Sequence, residues 1–351
     1  MTGRGLAVQG GLALVGLVTV YTTWQREPER APGAVTVIDA SKSDVTLVRY
    51  EDETNAVDLT RGKVGDDDGV WLHLVPKAKA EAKPDPHADP KAPKPATPPA
   101  ALAPPRDLPG AENAKKLYEQ FAPLVSMRAF GVLDAAKLKE LGLDNPQRKL
   151  DVTVKGAVRH YEIGQPSGAS GGESFLRDTR DGRVYLMPRS LLTELQNANH
   201  LVDRRLHTFD MTDFDRIKLA SGGKQKEIVL VGRESAKTLG FAYAKTPDKK
   251  DQMVKNWHDA LWRIFPTELL GKGEEPTGGK VSIVLRADYT EKGKGVGWIE
   301  IGRVDAQSGV TSDDAAAPGD LYARTEHTAG WAKIPSGGQV VPDAQKLITA
   351  P

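Results

Sequence analysis

The chain has 351 residues, enough for two or three domains of ordinary size, and 27% of its residues are charged. Its formal net charge of +1 provides no global field that would recruit nucleic acid or acidic partners. The sequence contains no cysteine, which excludes disulfides, thiol catalysis, cysteine metal sites and a lipoprotein anchor.

An uncharged segment near the N-terminus has the length of a membrane-spanning helix. Residues 5–24 carry no charge, and about twenty helical residues at about 1.5 Å each cross a hydrocarbon core of about 30 Å. Arg4 precedes this segment, while the charges that follow it cancel, so we expect a cytoplasmic N-terminus and a body outside. Tyr21 and Trp24 suit a membrane interface better than a cleavage site, which favours an uncleaved anchor. A cleaved signal peptide and a buried soluble helix are the alternatives.

Two segments of different character follow the predicted anchor. Residues 34–75 alternate apolar and polar side chains, which predicts strands. Residues 76–109 consist mainly of Pro, Ala, Lys and Asp, and cannot bury enough apolar surface to offset the entropy of ordering. We therefore interpret this stretch as a flexible, polyproline-like insertion, with a ligand for a proline-recognition module as the alternative.

Beyond the insertion the pattern becomes helical and then alternates again. Leu117, Phe121, Leu124 and Val125 share one helical face, which predicts a helix over residues 115–130. Further helices are predicted from Asp134 to Gly142 and from Arg189 to Asn199. Strands are predicted at residues 150–155, 158–163, 173–178 and 183–187.

The C-terminal half repeats this order of elements. Tyr161–Gly164 corresponds to Ile299–Gly302, and a helix over residues 248–265 corresponds to the helix over 115–130. We therefore predict an α+β fold with an N-terminal transmembrane helix and two tandem repeats, each an antiparallel sheet with helices. Coincidence of two similar patterns is the alternative. The predicted organisation is a cytoplasmic tip 1–4, an anchor 5–24, opening strands 34–75, an insertion 76–109, the remainder of repeat one 110–206, and repeat two 207–351.

Two arginines occupy matching positions in the repeats. Arg177 lies beside Glu162 in the predicted pairing, and Arg324 lies beside Glu300. A repeated cross-strand ion pair is the preferred interpretation. Docking of a partner by the exposed pairs is the alternative.

Acid and base residues elsewhere have structural interpretations that we prefer. Glu326 and His327 are the best acid/base pair, but the equivalent positions of repeat one lack both groups. A second group could bind a hard cation, although alternating aromatic residues favour a strand entry; it comprises His207, Asp210, Asp213 and Asp215. No catalytic, cofactor-binding or metal-binding residue is predicted.

Several short motifs resemble an uncharacterised bacterial family, domain of unknown function 4340. They are Leu141–Pro146, Glu162–Gly164, Arg183–Leu186 and Asp203–Leu206. The resemblance covers most of residues 35–220, and the long proline-rich insertion departs from it. It implies one N-terminal membrane helix, an extracytoplasmic body and genes near ABC-type transporter and gliding-motility-type components. It brings no catalytic residues.

These observations lead to one expected function and two alternatives. We expect a non-enzymatic, single-pass protein of the bacterial inner membrane with a periplasmic body that docks on an ABC-type transporter or motility-related assembly. An envelope-spanning scaffold that uses the proline-rich spacer is the first alternative, and an extracytoplasmic hydrolase using Glu326 and His327 is the second. We expect no cofactor, nucleic acid or small-molecule substrate.

Overall fold

A computed structural model describes most of the chain. The described residues are 33–64, 67–77, 104–164, 174–235, 238–276, 279–304, 320–335 and 339–350. Antiparallel strands are the commonest element among them, with a few short helices, so the predicted α+β class with antiparallel sheets is confirmed.

The first large sheet contains nine strands in the order β5-β4-β3-β2-β8-β9-β10-β11-β7, and β1 pairs separately with β6. The strand bounds are β1 Val35–Ile38, β2 Val45–Glu51, β3 Asn55–Val64, β4 Asp67–Pro76, β5 Arg106–Pro109, β6 Leu124–Ser126, β7 Arg128–Val132, β8 Arg148–Val154, β9 Ala157–Ile163, β10 Ser174–Asp178 and β11 Arg183–Met187.

The second sheet contains eight strands in the order β14-β13-β12-β16-β17-β18-β19-β15. Their bounds are β12 Arg216–Ser221, β13 Lys224–Val231, β14 Gly240–Tyr243, β15 Glu268–Leu269, β16 Val281–Glu291, β17 Lys294–Val304, β18 Leu321–Thr325 and β19 Ala332–Ile334. When β5 is set aside, the two sheets have the same order of strands. In each sheet, the strand at one end (β7 or β15) comes before four consecutive antiparallel strands in the chain (β8–β11 or β16–β19). It pairs with the last of those four strands.

Five α-helices accompany the sheets in the described part of the chain. They are α1 Glu112–Glu119, α2 Ala135–Glu140, α3 Arg189–Gln196, α4 Gln252–Trp262 and α5 Val340–Thr349, with a 3₁₀ turn at Ala198–His200. Asp251 caps α4 because its Oδ1 accepts hydrogen bonds from two backbone amides of the first turn, and Asp134 caps α2 by accepting one from the Lys137 amide.

The inner faces of the two sheets belong to a single buried apolar cluster. Val48 and Leu150 contribute from the first sheet, and Leu219 and Ile299 contribute from the second. The helices cover these faces; α4 and α5, for example, meet where the Trp257 indole donates to the carbonyl of Val340 at 3.0 Å. Burial of this apolar surface is the main stabilising contribution to the fold.

The outer faces carry smaller apolar clusters. The segment around α2 covers the first sheet, where Leu138 packs against the cluster of Leu143, Phe175, Val184 and Leu186. On the second sheet the corresponding cluster consists of Leu270, Val304, Tyr322 and Trp331.

Several predicted boundaries were wrong. The helix predicted over 115–130 ends at Glu119, since Pro123 cannot continue it and Leu124–Ser126 pair with β1 as a strand. The predicted insertion 76–109 extends too far, because Arg106–Pro109 form a strand on β4. The helix predicted over 248–265 is shorter, at Gln252–Trp262.

The predicted anchor over residues 5–24 lies outside the described residues and stays a prediction. Within the described part of the chain, no helix has both the length and the apolar character needed to cross a membrane.

Candidate functional site

The structure brings each predicted Arg–Glu pair together across neighbouring strands. Arg177 is opposite Glu162, with 2.7 Å between Nε and Oε2. Arg324 is opposite Glu300, with 2.8 Å between Nη2 and Oε2. The pairs therefore occupy the same place in the two sheets, on β9–β10 and on β17–β18.

The pair in the second sheet is more deeply embedded. Glu300 is only 5% exposed and contacts Arg286 as well as Arg324. The two guanidinium groups lie 5.1 and 5.8 Å from the ring centre of Trp298, and Arg324 also lies 4.6 Å from that of Trp331. The charges in this group are held by one another and by the indole rings, which favours a structural role.

Glu326 and His327 are adjacent in the chain but bind different partners. Oε1 of Glu326 lies 3.0 Å from Nδ1 of His207. Oε2 of Glu326 accepts a hydrogen bond from the backbone amide of Trp298 at 2.8 Å. Nε2 of His327 lies 3.0 Å from Oδ2 of Asp203. Because the two side chains do not converge on one point, the geometry does not support them as a cooperating acid and base.

Asp203 and His327 form a buried contact between the two sheets. Asp203 lies in the loop after α3, while His327 lies in the hairpin between β18 and β19. Both are buried, and Arg205 also donates to Asp203, with 2.6 Å between Nη2 and Oδ2. Burial alone would raise the pKa of Asp203, but hydrogen bonds from His327 and Arg205 outweigh it and hold the pKa well below its usual range. The charged form of Asp203 thus joins the sheets.

The predicted cation-binding group is dispersed. His207 contacts Glu326. Asp213 accepts a hydrogen bond from the backbone amide of Asp210 at 2.8 Å, and Asp215 accepts one from the backbone amide of Lys292 at 3.0 Å. Among the residues that the structure describes, no three acidic or histidine side chains converge as a metal site would require.

Two imidazole rings stack against the indole of Trp262. His207 stacks on it at 4.9 Å between ring centres, and His258 stacks at 5.4 Å. His258 is fully buried against aromatic rings, including Phe241 at 4.5 Å. Desolvation lowers the pKa of His258 to about 3, so this imidazole is neutral in the folded protein near pH 7.

An open cleft of about 870 Å³ borders this stack. The linker between the sheets comprises residues 197–215, between α3 and β12. It forms one side of the cleft with Arg204, Arg205 and His207, and the end of α4 forms the other with Arg263 and Phe265. A second cavity of about 350 Å³ also borders the linker and reaches Arg106, which binds Glu268 and Glu274. The linker therefore borders two open spaces.

The edge strand β7 is another open feature. Among the described strands it pairs only with β11, and its Phe130 and Val132 side chains are 39% and 71% exposed, next to the exposed Met127. The opposite end of that sheet is closed where Gly110 pairs with Val202, and β14 is closed where Ala242 pairs with Lys250. Among the described edges, β7 combines free backbone groups with exposed large apolar side chains.

Residues 105–264 match the family model described as Domain of unknown function (DUF4340). The chain is similar to this family over that segment, which is less than half of its length. The resemblance predicted from the sequence is thereby confirmed, although the DUF4340 segment begins and ends later than the predicted range of 35–220. Comparison with curated proteins gave no match, and comparison with solved structures gave none either.

The DUF4340 segment does not coincide with either sheet. It starts just before β5 and ends just after α4, so it contains the linker and nearly all of the cleft. Strand β8 lies inside the segment, whereas its neighbour β2 lies outside it. The DUF4340 segment therefore needs the surrounding strands to complete its sheets.

Sequence reasoning missed the role of the linker. In the sequence, Asp203 and Arg205 belong only to a short family motif, and no pattern indicates that His258 is buried. The useful signal was the Asp-Arg-Arg run directly before the second repeat, since a buried carboxylate needs nearby donors. The partner of Asp203 lies in a hairpin far along the chain, which no local pattern reveals.

Proposed function

We propose that the protein is a non-enzymatic docking subunit, anchored in the inner membrane by residues 5–24 with its body in the periplasm. It would serve an ABC-type transporter or a motility-related assembly. The observation that carries the docking role is the open strand β7 with its exposed Phe130 and Val132. The separation of Glu326 from His327 supports the absence of hydrolase chemistry at that pair.

We also propose that the two sheets are tandem copies of one unit. Their common strand order and the equivalent Arg–Glu pairs support this organisation. In this proposal the first copy carries the proline-rich insertion and β5, and the second lacks both.

Strand β7 is suited to receive an extended segment of a partner. Its outward backbone groups can continue the ladder, while Phe130 and Val132 supply apolar contacts. Soluble proteins usually protect such edges, because they template association. We therefore assign the partner of this edge as an extended, apolar segment of the membrane assembly.

Co-purification from cross-linked membranes tests the docking role. Val132→Lys should abolish recovery of the partner, because a charge on β7 opposes burial of this edge. Val158→Lys is the matched control, since Val158 is also exposed, at 49%, but lies on the β8–β9 hairpin. Equal recovery with both variants would remove β7 from the proposal. Failure of the unaltered chain to recover any membrane protein would reject the docking role.

A further inference from the structure

The cleft beside the linker has an excess of positive charge. Arg204, Arg205 and Arg263 line it together with Asp210. Arg205 is neutralised by Asp203, whereas the described part of the chain offers Arg204 and Arg263 no acidic partner within ion-pair distance. Two guanidinium groups are thus available to an anionic ligand, and guanidinium binds carboxylates with two parallel hydrogen bonds.

The aromatic residues of the cleft restrict the kind of ligand. Trp262 already stacks with His207 and His258, at 4.9 and 5.4 Å between ring centres, which favours a ligand that does not depend on stacking on this indole. Phe265 is 63% exposed at the rim and offers an apolar contact beside the arginines. The ligand that fits carries carboxylates and aliphatic side chains.

The shape of the open space favours an extended ligand. Asn199, Val202 and Arg204 line both the cleft and the second cavity, so the two spaces border the same short stretch of linker. Together they exceed the size of a typical small-molecule pocket. A peptide can follow such a surface with several contacts.

We propose that this cleft binds an acidic peptide segment of the docking partner, with carboxylates on Arg204 and Arg263 and an aliphatic side chain on Phe265. The inference rests on the proposed docking function and specifies the chemistry of its partner. It adds a charged contact surface on the linker to the apolar edge at β7.

Fluorescence anisotropy with the purified full chain in non-ionic detergent tests the inference. The probe is a labelled peptide of Glu, Asp and Leu, and the control peptide has Gln and Asn in place of the acids. We expect the acidic peptide to bind at least about tenfold more tightly, because each charge-assisted hydrogen bond adds substantially to affinity. Added salt should weaken the complex. Equal affinity for the two peptides would overturn the proposal.

A matched pair of double variants locates the site. Arg204→Gln with Arg263→Gln should weaken peptide binding at least about tenfold. Arg189→Gln with Arg303→Gln removes two exposed arginines outside the cleft and should change the affinity by less than about twofold. Equal losses with both double variants would show a general charge effect and reject the cleft as the site.

Two further outcomes separate this inference from the docking function. Tighter binding to phosphatidylglycerol vesicles than to the acidic peptide, lost in the cleft variant, would replace the peptide by an anionic lipid. If the cleft variant still recovers the membrane partner at full yield, the cleft proposal fails and the docking function stands. If the unaltered chain binds the peptide but recovers no membrane protein, the docking function fails instead.

Discussion

The contact between Asp203 and His327 joins loops of different sheets at a place that water hardly reaches. Both side chains are buried, and the carboxylate also receives Arg205. Such a contact is costly to disrupt, because removing either Asp203 or His327 leaves the other one buried without its partner.

Asp203→Asn should therefore lower the free energy of unfolding by about 3 kcal/mol. Asp320→Asn is the control, since Asp320 pairs with Lys333 at the surface and should cost less than about 1 kcal/mol. Urea unfolding followed by circular dichroism measures both values. Similar losses of unfolding free energy in the two variants would mean that the Asp203 contact stabilises the protein no more than a surface ion pair does.

His258 gives the protein a specific dependence on pH. The unfolded chain binds a proton at this imidazole below pH 6.5, whereas in the folded protein the pKa is about 3. The unfolded state is therefore favoured by proton uptake as the pH falls from 6.5 towards 3. The stability that the neutral His258 contributes to the folded protein is complete above pH 6.5 and is lost as the pH falls from 6.5 towards 3.

His258→Phe should flatten the decline in unfolding free energy between about pH 6.5 and pH 4.5. Asp203 contributes mainly at lower pH, because its unfolded pKa is near 3.8, so this window isolates the histidine. Urea unfolding at several pH values measures the slope. An unchanged slope in the variant, compared with His160→Phe at an exposed site, would contradict the assignment.

At the scale of elements, the two equivalent ion pairs have different surroundings. Glu162 contacts one arginine and is partly exposed, while Glu300 is nearly buried between Arg286 and Arg324. The same strand positions therefore contribute differently to the stability of their sheets.

Glu300→Gln should destabilise the protein by about 2 kcal/mol, and Glu162→Gln by less than about 1 kcal/mol. Thermal unfolding of both variants checks the order of the two effects. If neither variant changes stability and both lose the membrane partner, the predicted docking role of these pairs replaces the structural one.

Elements with a strong local pattern could be predicted, and elements defined by distant pairing could not. The alternation in β2 and β8 and the apolar face of α4 are local signals. Strand β5 has no such signal, since Arg106–Pro109 is a strand only through its pairing with β4. Pro342 lies in the first turn of α5, where proline is tolerated, and that helix was missed for want of a clear start signal.

At the scale of the whole molecule, the sheets share one apolar cluster and the linker contacts. We expect them to unfold together. Four of the six tryptophans belong to the second half of the chain, at positions 257, 262, 298 and 331. Tryptophan fluorescence therefore reports mainly on that half, whereas far-ultraviolet circular dichroism reports on both sheets.

The two signals should give the same denaturation midpoint. Measurement of both during urea unfolding of the full chain in detergent checks this expectation. Separate midpoints would show that the sheets are independent units and that the linker contacts do not couple them. If the unaltered chain shows one midpoint, Asp203→Asn should move the two signals apart, because it removes the contact that couples the sheets.

The candidate site could be predicted only in part. The Arg177–Glu162 and Arg324–Glu300 pairs could be predicted, because they lie at matching positions in the two halves of the sequence. The cleft depends on how the linker lies between two sheets that are far apart in the chain, and Arg263 reaches it from the end of α4. Nothing in the local sequence around Arg204 or Arg263 indicates that they share a surface.

The position of β7 in the strand order also sets a sequence of events during folding. Among the described strands, β7 pairs only with β11, the last of the four strands β8–β11 that follow it in the chain. This pairing requires β11 to be in place, because the chain between them must first close a long loop. With a single neighbouring strand, the segment Arg128–Val132 should open more readily than the centre of the sheet, so the partner-facing edge can remain adaptable.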